Sequence, residues 1–363
     1  MRKAFDVHFH YTFQVPLQES VEAFREMFTL YGVDRKAFMA LGYKDVQDDG
    51  NFEHDHCCNV RSLFYKYAFA PKGYAFGHLI YDGKMTDEER ADDLLRQAQE
   101  FYKAGGDGFK MIEGHPRCSR FFGYQIDEPV YEKFFAFMEE NQFPILLHLA
   151  NPAENWDLEK CSEWARTHGN YYDESYPTKE EYHKKLERVM QRHPNLKIIL
   201  AHFGFMSYDV EMAKHFLDTY PNAMLDTTPG GEQLLRMDKD WEIWRPFFQK
   251  YYRRILFGTD TFNTSRPLDK EWLLIRPMLV KNFFETDEAA LYYADPYTGH
   301  GKDFTSEMLD RIYYDNAYEY LGEPRPLDKD YLVKEAERVF TVIDDDFDRR
   351  DMEYVIKTLR GEK

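Results

Sequence analysis

The stretch AFDVHFH, residues 4–10, begins with apolar residues and ends with two histidines one residue apart. Alternate side chains of a β-strand point to the same face, so His8 and His10 would project together from the end of such a strand. The pair is a candidate for two nitrogen ligands of a metal ion, but the same pattern occurs on ordinary strand ends and solvated loops. Its meaning therefore depends on what the rest of the chain brings to the same place.

Short apolar runs alternate with amphipathic segments along most of the chain, a pattern typical of parallel α/β proteins. Eight runs, each followed by a helix, predict an α/β fold of the (β/α)8 TIM-barrel type. An open doubly wound sheet is the alternative, but no G-x-G-x-x-G follows the first run. The predicted strands are 4–10, 36–43, 74–81, 108–112, 144–150, 197–202, 223–228 and 255–260, and predicted helices include 18–31, 87–104, 129–141, 178–192, 209–219 and 241–252.

No repeat or linker divides the chain, so we expect one domain over residues 1–363, with the barrel at about 4–300. Long loops are expected after three strands, at 44–60, 113–125 and 151–177. The last of these carries Trp156, Trp164, Tyr171 and Tyr172, which could cover the barrel mouth or simply pack on its rim. Helices outside the barrel are expected at about 305–363, where the charged stretch DDDFDRRD (344–351) should be solvated.

The composition narrows the range of partners. Lys and Arg number 47 against 65 Asp and Glu, a net charge of −18, which counts against nucleic acid or an anionic membrane. No secretory signal pattern begins the sequence, and no apolar run approaches the ~18 residues of a membrane span. The cysteines, two of them adjacent, do not suggest a disulfide framework. We therefore expect a cytoplasmic protein that acts on a small molecule, and homo-oligomers are compatible with its aromatic content.

Polar residues interrupt the apolar runs at one consistent place, their C-terminal ends. In a barrel these ends surround one mouth, so the side chains would meet there. Imidazoles and a carboxylate suit Zn2+ or a similar ion, with a position left open for water. The residues are His8, His10, Lys110, His148, His202 and Asp260.

In this order, the residues resemble the amidohydrolase superfamily. More narrowly, the chain resembles its amidohydrolase-related branch, which includes decarboxylases similar to aminocarboxymuconate-semialdehyde decarboxylase. The resemblance covers nearly the whole barrel and lies in DVHFH, GFKMIEGHP, PILLHLANP, HPNLKIILAHFG, YPNAMLDTTP, ILFGTDTF and NAYEYLG.

The resemblance implies that one divalent ion is held by four residues, His8, His10, His148 and Asp260. Zn2+ is expected first, with Mn2+, Fe2+ and Co2+ as alternatives. The ion would activate a water molecule, Asp260 would accept its proton, and His202 would stabilise charge on the attacked oxygen.

Lys110 allows two interpretations. In binuclear relatives a lysine at this strand end is carboxylated and bridges two metal ions. With one ion, which we favour, Lys110 would bind a substrate carboxylate or hydroxyl, or form an ion pair with Glu113.

His115, Arg117 and Arg120 follow the fourth strand and are candidate contacts for an anionic substrate, as is Arg266 after the eighth. Ordinary salt bridges would explain the arginines equally well. The segment EHDHCC (53–58) also holds possible ligands, but so many in so few residues cannot surround one tetrahedral ion, and an acidic surface loop is expected instead.

The leading functional hypothesis is a metal-dependent hydrolase that attacks a small amide, lactone or ester with activated water. The alternative is a metal-dependent, non-oxidative decarboxylase of an aromatic or unsaturated acid. A third hypothesis, a metal-holding protein without turnover, is disfavoured by the complete set of ligand candidates and His202.

Overall fold

The protein is described here by a computed structural model, which covers residues 2–11, 15–46, 52–81, 83–229, 233–261 and 270–362. Within these ranges the strands are β1 (Ala4–His10), β2 (Val33–Met39), β3 (Tyr43–Val46), β4 (Phe52–His54), β5 (Gly73–Gly77), β6 (Gly108–Gly114), β7 (Ile145–Leu149), β8 (Ile198–Leu200), β9 (Ala223–Asp226), β10 (Ile255–Leu256), β11 (Ala289–Tyr292) and β12 (Asp295–Thr298).

The α-helices in the same ranges lie mostly between these strands. They are α1 (Leu17–Tyr31), α2 (Cys58–Ala68), α3 (Asp87–Lys103), α4 (Pro116–Phe122), α5 (Glu132–Glu140), α6 (Glu163–Thr167), α7 (Lys179–Arg192), α8 (Val210–Thr219), α9 (Gln233–Lys239), α10 (Trp241–Tyr251), α11 (Lys270–Glu285), α12 (Ser306–Asp310), α13 (Asn316–Leu321), α14 (Lys329–Phe340) and α15 (Asp346–Arg360).

Eight parallel strands form the barrel, in the order β1-β2-β5-β6-β7-β8-β9-β10. Backbone hydrogen bonds from Val7 to Phe257 (3.0 Å) and from His10 to Thr261 (2.9 Å) join β1 to the segment after β10. These bonds close the sheet on itself, so the predicted TIM barrel is confirmed and the open sheet is excluded. The strands predicted from the apolar runs all overlap the observed ones, although β8 and β10 are short.

Two apolar layers hold the barrel together. Residues such as Phe5, Val7 and Phe76 fill the barrel interior, while a larger cluster packs between the strands and the surrounding helices. Phe9 belongs to the outer cluster although Val7 belongs to the inner one, because a register shift interrupts β1 between Asp6 and Phe9. A bulge of this kind turns His8 and His10 into the barrel mouth.

The predicted helical extension is present as α12 to α15, and its charged stretch is exposed as expected at Asp344–Asp346 and Arg350 but not at two of its carboxylates. Asp348 and Asp351 of α15 are buried, and both form ion pairs with Arg61 of α2, a side chain with no exposed surface. Asp351 also accepts the backbone N–H of Leu17 at the start of α1. The expectation is wrong at these two residues because their carboxylates attach α15 to the barrel helices.

The EHDHCC segment also differs from the expected surface loop. It includes the end of β4 and the start of α2, and both Cys57 and Cys58 are fully buried. Ligand atoms of Asp55, Cys57 and Asp348 lie within 4.8 Å of one another. Arg61 pairs with both carboxylates, so a guanidinium supplies the positive charge there.

In the described part of the chain, no helix is both long and apolar enough to cross a membrane. A cytoplasmic location stays a prediction.

Candidate active site at the barrel mouth

His8, His10 and Asp260 form the centre of the mouth. The Nε2 atoms of the two histidines lie 3.1 Å apart, and Oδ1 of Asp260 lies 3.3 Å from the first and 3.2 Å from the second. Asp260 reaches this position with a left-handed backbone (φ 48°), and its N–H donates to the carbonyl oxygen of His8 at 2.7 Å. The structure thus brings three of the four predicted metal ligands together.

Hydrogen bonds fix which ring nitrogens face the centre. Nδ1 of His8 donates to Oδ2 of Asp226 at 2.8 Å, and Nδ1 of His10 donates to the carbonyl oxygen of Met39 at 3.2 Å. Both Nε2 atoms therefore present lone pairs to each other and to the Asp260 carboxylate. Burial lowers the pKa of both histidines, which keeps them neutral. Three electron-pair donors that converge in this way fit a divalent cation, which would offset their mutual repulsion.

His148 stands apart from this group within the described residues. Its Nε2 donates to the carbonyl oxygen of Ala150 at 3.1 Å and lies 3.2 Å from Oδ1 of Asn151, which leaves Nδ1 as the nitrogen able to bind a metal. Its ring contacts His202, with 4.9 Å between centroids. Its predicted role as the fourth ligand stays a prediction.

His202 follows β8 in a turn with a left-handed backbone at several successive residues. Its Nδ1 lies 2.9 Å from Oγ1 of Thr228, whose hydroxyl donates to Oδ1 of Asp226. Because Thr228 gives its one proton to the carboxylate, Nδ1 of His202 must donate to Thr228. Nε2 is then the acceptor nitrogen, and burial lowers the pKa of the ring to about 3.

Lys110 is buried beside the central histidines, with its Nζ 3.0 Å from Nε2 of His8. Burial lowers its pKa to about 8. An ion pair with Glu113 is not formed among the described residues, because the oxygens of Glu113 turn elsewhere and one accepts from the hydroxyl of Tyr81 at 2.7 Å. Lys110 is therefore directed at the metal site and remains a candidate for either of its two predicted roles.

The predicted anion contacts divide into two groups. His115 lines the mouth, 5.0 Å from the His148 ring, and its Nε2 lies 3.0 Å from Nδ2 of Asn151. Arg117 binds the carbonyl oxygen of His168, and Arg120 stacks on the ring of Tyr176. Arg266 lies outside the described residues.

Sequence reasoning missed two charged residues of the site. Asp226 ends β9 at the same position where other strands carry histidines, so its place in AMLDTT was a usable signal. Arg276 gave no such signal, because it lies inside α11. Its Nη1 donates to the Asp260 carbonyl oxygen at 2.6 Å and to Oδ2 of the same residue. Burial alone would raise the pKa of Asp260, but Arg276 and the nearby histidines hold it well below its usual value.

A cavity of about 730 Å3 opens above these groups. Histidines 115, 148 and 202 share its wall with Asp260 and Arg276, and aromatic side chains complete it: Trp164, Phe205, Trp272, Tyr292 and Tyr293. Of the aromatic residues predicted in the 151–177 loop, Trp164 lines the cavity, whereas Trp156 packs on Tyr172 with 4.6 Å between ring centroids.

Comparison with solved structures finds the same fold at low sequence identity. An uncharacterized TIM-barrel protein from Bordetella bronchiseptica is 14% identical, with a TM-score of 0.54 over 88% of this chain and 98% of that one. A 4-oxalomesaconate hydratase from Rhodopseudomonas palustris is 12% identical, with a TM-score of 0.52 over 88% of this chain and 95% of that one. A 2,6-dihydroxybenzoate decarboxylase from Rhizobium is 15% identical, with a TM-score of 0.51 over 88% of this chain and 99% of that one. These likenesses show the fold alone.

No curated protein sequence matches significantly. The family model Amidohydro_2, described as amidohydrolase, matches residues 5–322, which include every strand of the barrel. The chain therefore belongs to the Amidohydro_2 family of amidohydrolases, a family of metal-dependent enzymes.

Proposed function

We propose that this protein is a metal-dependent hydrolase that attacks a small amide, lactone or ester with water. The observation that carries the proposal is the orientation of His202. Its Nδ1 is committed to Thr228 and through it to Asp226, so Nε2 is available as a proton acceptor on a ring that lines the cavity. A neutral imidazole held in this way has the lone pair of Nε2 free to accept a proton.

The residues divide the work as follows. A divalent ion would be held by His8, His10 and Asp260. We propose Zn2+ first, with Mn2+, Fe2+ or Co2+ as alternatives. The ion would lower the pKa of water and polarise the substrate carbonyl. His202 would accept a proton from the attacking water and return it to the leaving group. Asp260 was the acceptor expected from the resemblance, but Arg276 already occupies its Oδ2. We therefore assign proton transfer to His202 and ion binding to Asp260.

A decarboxylase is the second candidate, and the aromatic wall of the cavity around Arg276 supports it. The Arg276 guanidinium lies among flat aromatic side chains, Trp272, Tyr292 and Tyr293, that could sandwich an aromatic or unsaturated acid. A substrate carboxylate would bind near Arg276, with His115 and Arg117 as the further anion contacts predicted from the sequence. A protein acid would then protonate the carbon as CO2 leaves.

One assay separates the candidates. The zinc-loaded protein is tested against a panel of amides, lactones and esters for hydrolysis, and against aromatic and unsaturated acids for CO2 release. His202→Asn should reduce hydrolysis by about 100-fold or more, as expected when a general base is lost. The matched control His215→Asn alters an exposed histidine outside the mouth and should keep full activity.

Two other outcomes would change the assignment. Release of CO2 without hydrolysis would replace the first candidate by the second. If Asp260→Asn bound metal and turned over as well as the wild type, the mouth would not be the catalytic site.

A further inference from the structure

A second cavity, of about 490 Å3, lies beside the mouth cavity. The two cavities share four wall residues, Pro152, Asn155, Ser162 and Phe205. The Phe205 ring lies 5.2 Å from the His148 ring and 5.0 Å from the His202 ring, measured between centroids. The Phe205 side chain therefore lines both spaces, and the two cavities adjoin at the four shared residues.

The side cavity contains buried polar groups without protein partners. Asn155 is 8% exposed and Ser207 is 2% exposed, and within the described part of the chain neither side chain makes a hydrogen bond. Their polar atoms are accessible from the cavity, so both side chains can hydrogen-bond to a ligand or to water there. Asn155 lies on the wall common to both cavities, where it can meet a ligand that spans them.

Most charges of the wall are paired: the wall carries three cations and two anions, and two of the cations have carboxylate partners. Arg236 forms an ion pair with Glu154, and Lys160 forms one with Asp157. The remaining charged wall residues, Lys239 and Asp295, have opposite signs. An anion or a cation would therefore gain little net attraction, whereas an uncharged group can use the amide of Asn155 and the hydroxyl of Ser207.

We propose that the side cavity is a substrate subsite for an uncharged, hydrogen-bonding group, an amide or hydroxylated arm, while the reacting bond lies in the mouth cavity. The substrate would accordingly have two parts joined past Asn155. That the bound molecule is a substrate rests on the proposed function. Binding of its uncharged arm in the side cavity does not depend on that function and can be measured without turnover.

The test uses saturation-transfer NMR on the full-length, zinc-loaded protein with three small probes. N-acetylglycinamide and glycerol are uncharged and represent an amide and a polyol, and N-acetylglycine is the anionic counterpart of the first. We expect at least one uncharged probe to bind more tightly than the anion. Asn155→Leu should weaken that binding by about tenfold, as the loss of a buried hydrogen bond does.

Ser207→Ala provides a second, smaller change in case Asn155→Leu disturbs folding, and it should weaken the same probe. Asn195→Leu, which changes a residue outside both cavities, should have no effect. Equal binding of the uncharged probe to wild type and both site variants, or binding of the anion that Asn155→Leu weakens by the same factor, would overturn the proposal. Metal content and hydrolysis are measured separately, so an inactive protein that still binds the probe through Asn155 would remove the proposed function and keep the subsite.

Discussion

Oδ2 of Asp226 accepts a hydrogen bond from Nδ1 of His8 at 2.8 Å, and neither residue has any exposed surface. The carboxylate comes from β9 and the histidine from β1, which are not neighbours in the barrel. The other oxygen of Asp226 accepts the backbone N–H of His202 at 2.8 Å. One carboxylate therefore sets the ring orientation of a metal-ligand candidate and the backbone position of the proposed base.

Replacement of this carboxylate should loosen the metal site. We expect Asp226→Asn to bind zinc about 10 to 100 times more weakly, because an amide cannot accept the hydrogen bonds that converge on both oxygens. Competition with a chelator measures the affinity. Asp238→Asn is the matched control, since Asp238 makes a similar bond to His300 at 2.8 Å outside the mouth. Equal zinc affinity in the wild type and Asp226→Asn would contradict this role.

The number of metal ions depends on Lys110. Its Nζ lies 3.0 Å from Nε2 of His8, and His148 is not part of the close donor group among the described residues. We therefore expect about one ion per chain, by plasma mass spectrometry, in both the wild type and Lys110→Ala. Two ions in the wild type and one or none in the variant would instead indicate a carboxylated Lys110 that bridges them.

Arg276 should be required for turnover although it is not a predicted ligand. Its Nη1 holds both the carbonyl and the carboxylate of Asp260, whose backbone is left-handed. Without these two hydrogen bonds the Asp260 carboxylate can rotate away from the metal site, and misplacement of a catalytic group by about 1 Å can lower the rate about 100-fold. We expect Arg276→Met to lower kcat by about 10 to 100-fold and to bind zinc more weakly. Arg245→Met removes partly exposed ion pairs with Glu242 and Asp303 outside the mouth and should match the wild type. Equal effects of the two substitutions would contradict the role of Arg276.

The barrel could be predicted because its signals are local. Each strand is an apolar run and each helix has its own periodicity, so no knowledge of distant contacts is required. The same logic identified the strand-end histidines, because the C-terminal ends of barrel strands share one mouth.

The parts that were missed depend on contacts between distant segments. Nothing near Arg276 in the sequence indicates that it reaches Asp260, 16 residues earlier. The acidic stretch at 344–351 has the composition of a solvated segment, and the burial of Asp348 within it depends on Arg61, 287 residues earlier. The hydrogen bonds that select the nitrogens of His8 and His202 likewise involve a carboxylate from another strand.

Arg61 should be essential for stability. It is fully buried and pairs with three buried carboxylates, those of Asp55, Asp348 and Asp351. Arg61→Met leaves these charges without a cation, and loss of one partner of a buried ion pair typically costs about 3–5 kcal/mol in the free energy of unfolding. Urea denaturation measures the loss. Arg338→Met breaks an exposed pair with Glu335 and should cost less than about 1 kcal/mol. A similar small cost for Arg61→Met would show that α15 is not fixed by these ion pairs.

Glu113 should make stability depend on pH. It is buried, its Oε2 has no hydrogen-bond partner among the described residues, and burial raises its pKa from 4.5 to about 7. Its surroundings are Tyr81, Tyr131, Cys118 and, at longer range, Lys110. Below pH 4.5 the folded and unfolded forms both carry the proton, whereas between 4.5 and about 7 only the folded form keeps it. The contribution of Glu113 to stability therefore falls as the pH rises through this interval.

Glu113→Gln removes the titration and keeps an oxygen to accept the Tyr81 hydroxyl. Near pH 4.5 the variant and the wild type should be about equally stable, and by pH 8 the variant should be more stable by about 3 kcal/mol. Urea denaturation at several pH values from 4.5 to 8 measures the difference in the free energy of unfolding. Glu242→Gln, at an exposed carboxylate, should show no such trend. If the difference in the free energy of unfolding between Glu113→Gln and the wild type stays constant with pH, the buried carboxyl does not titrate in this range.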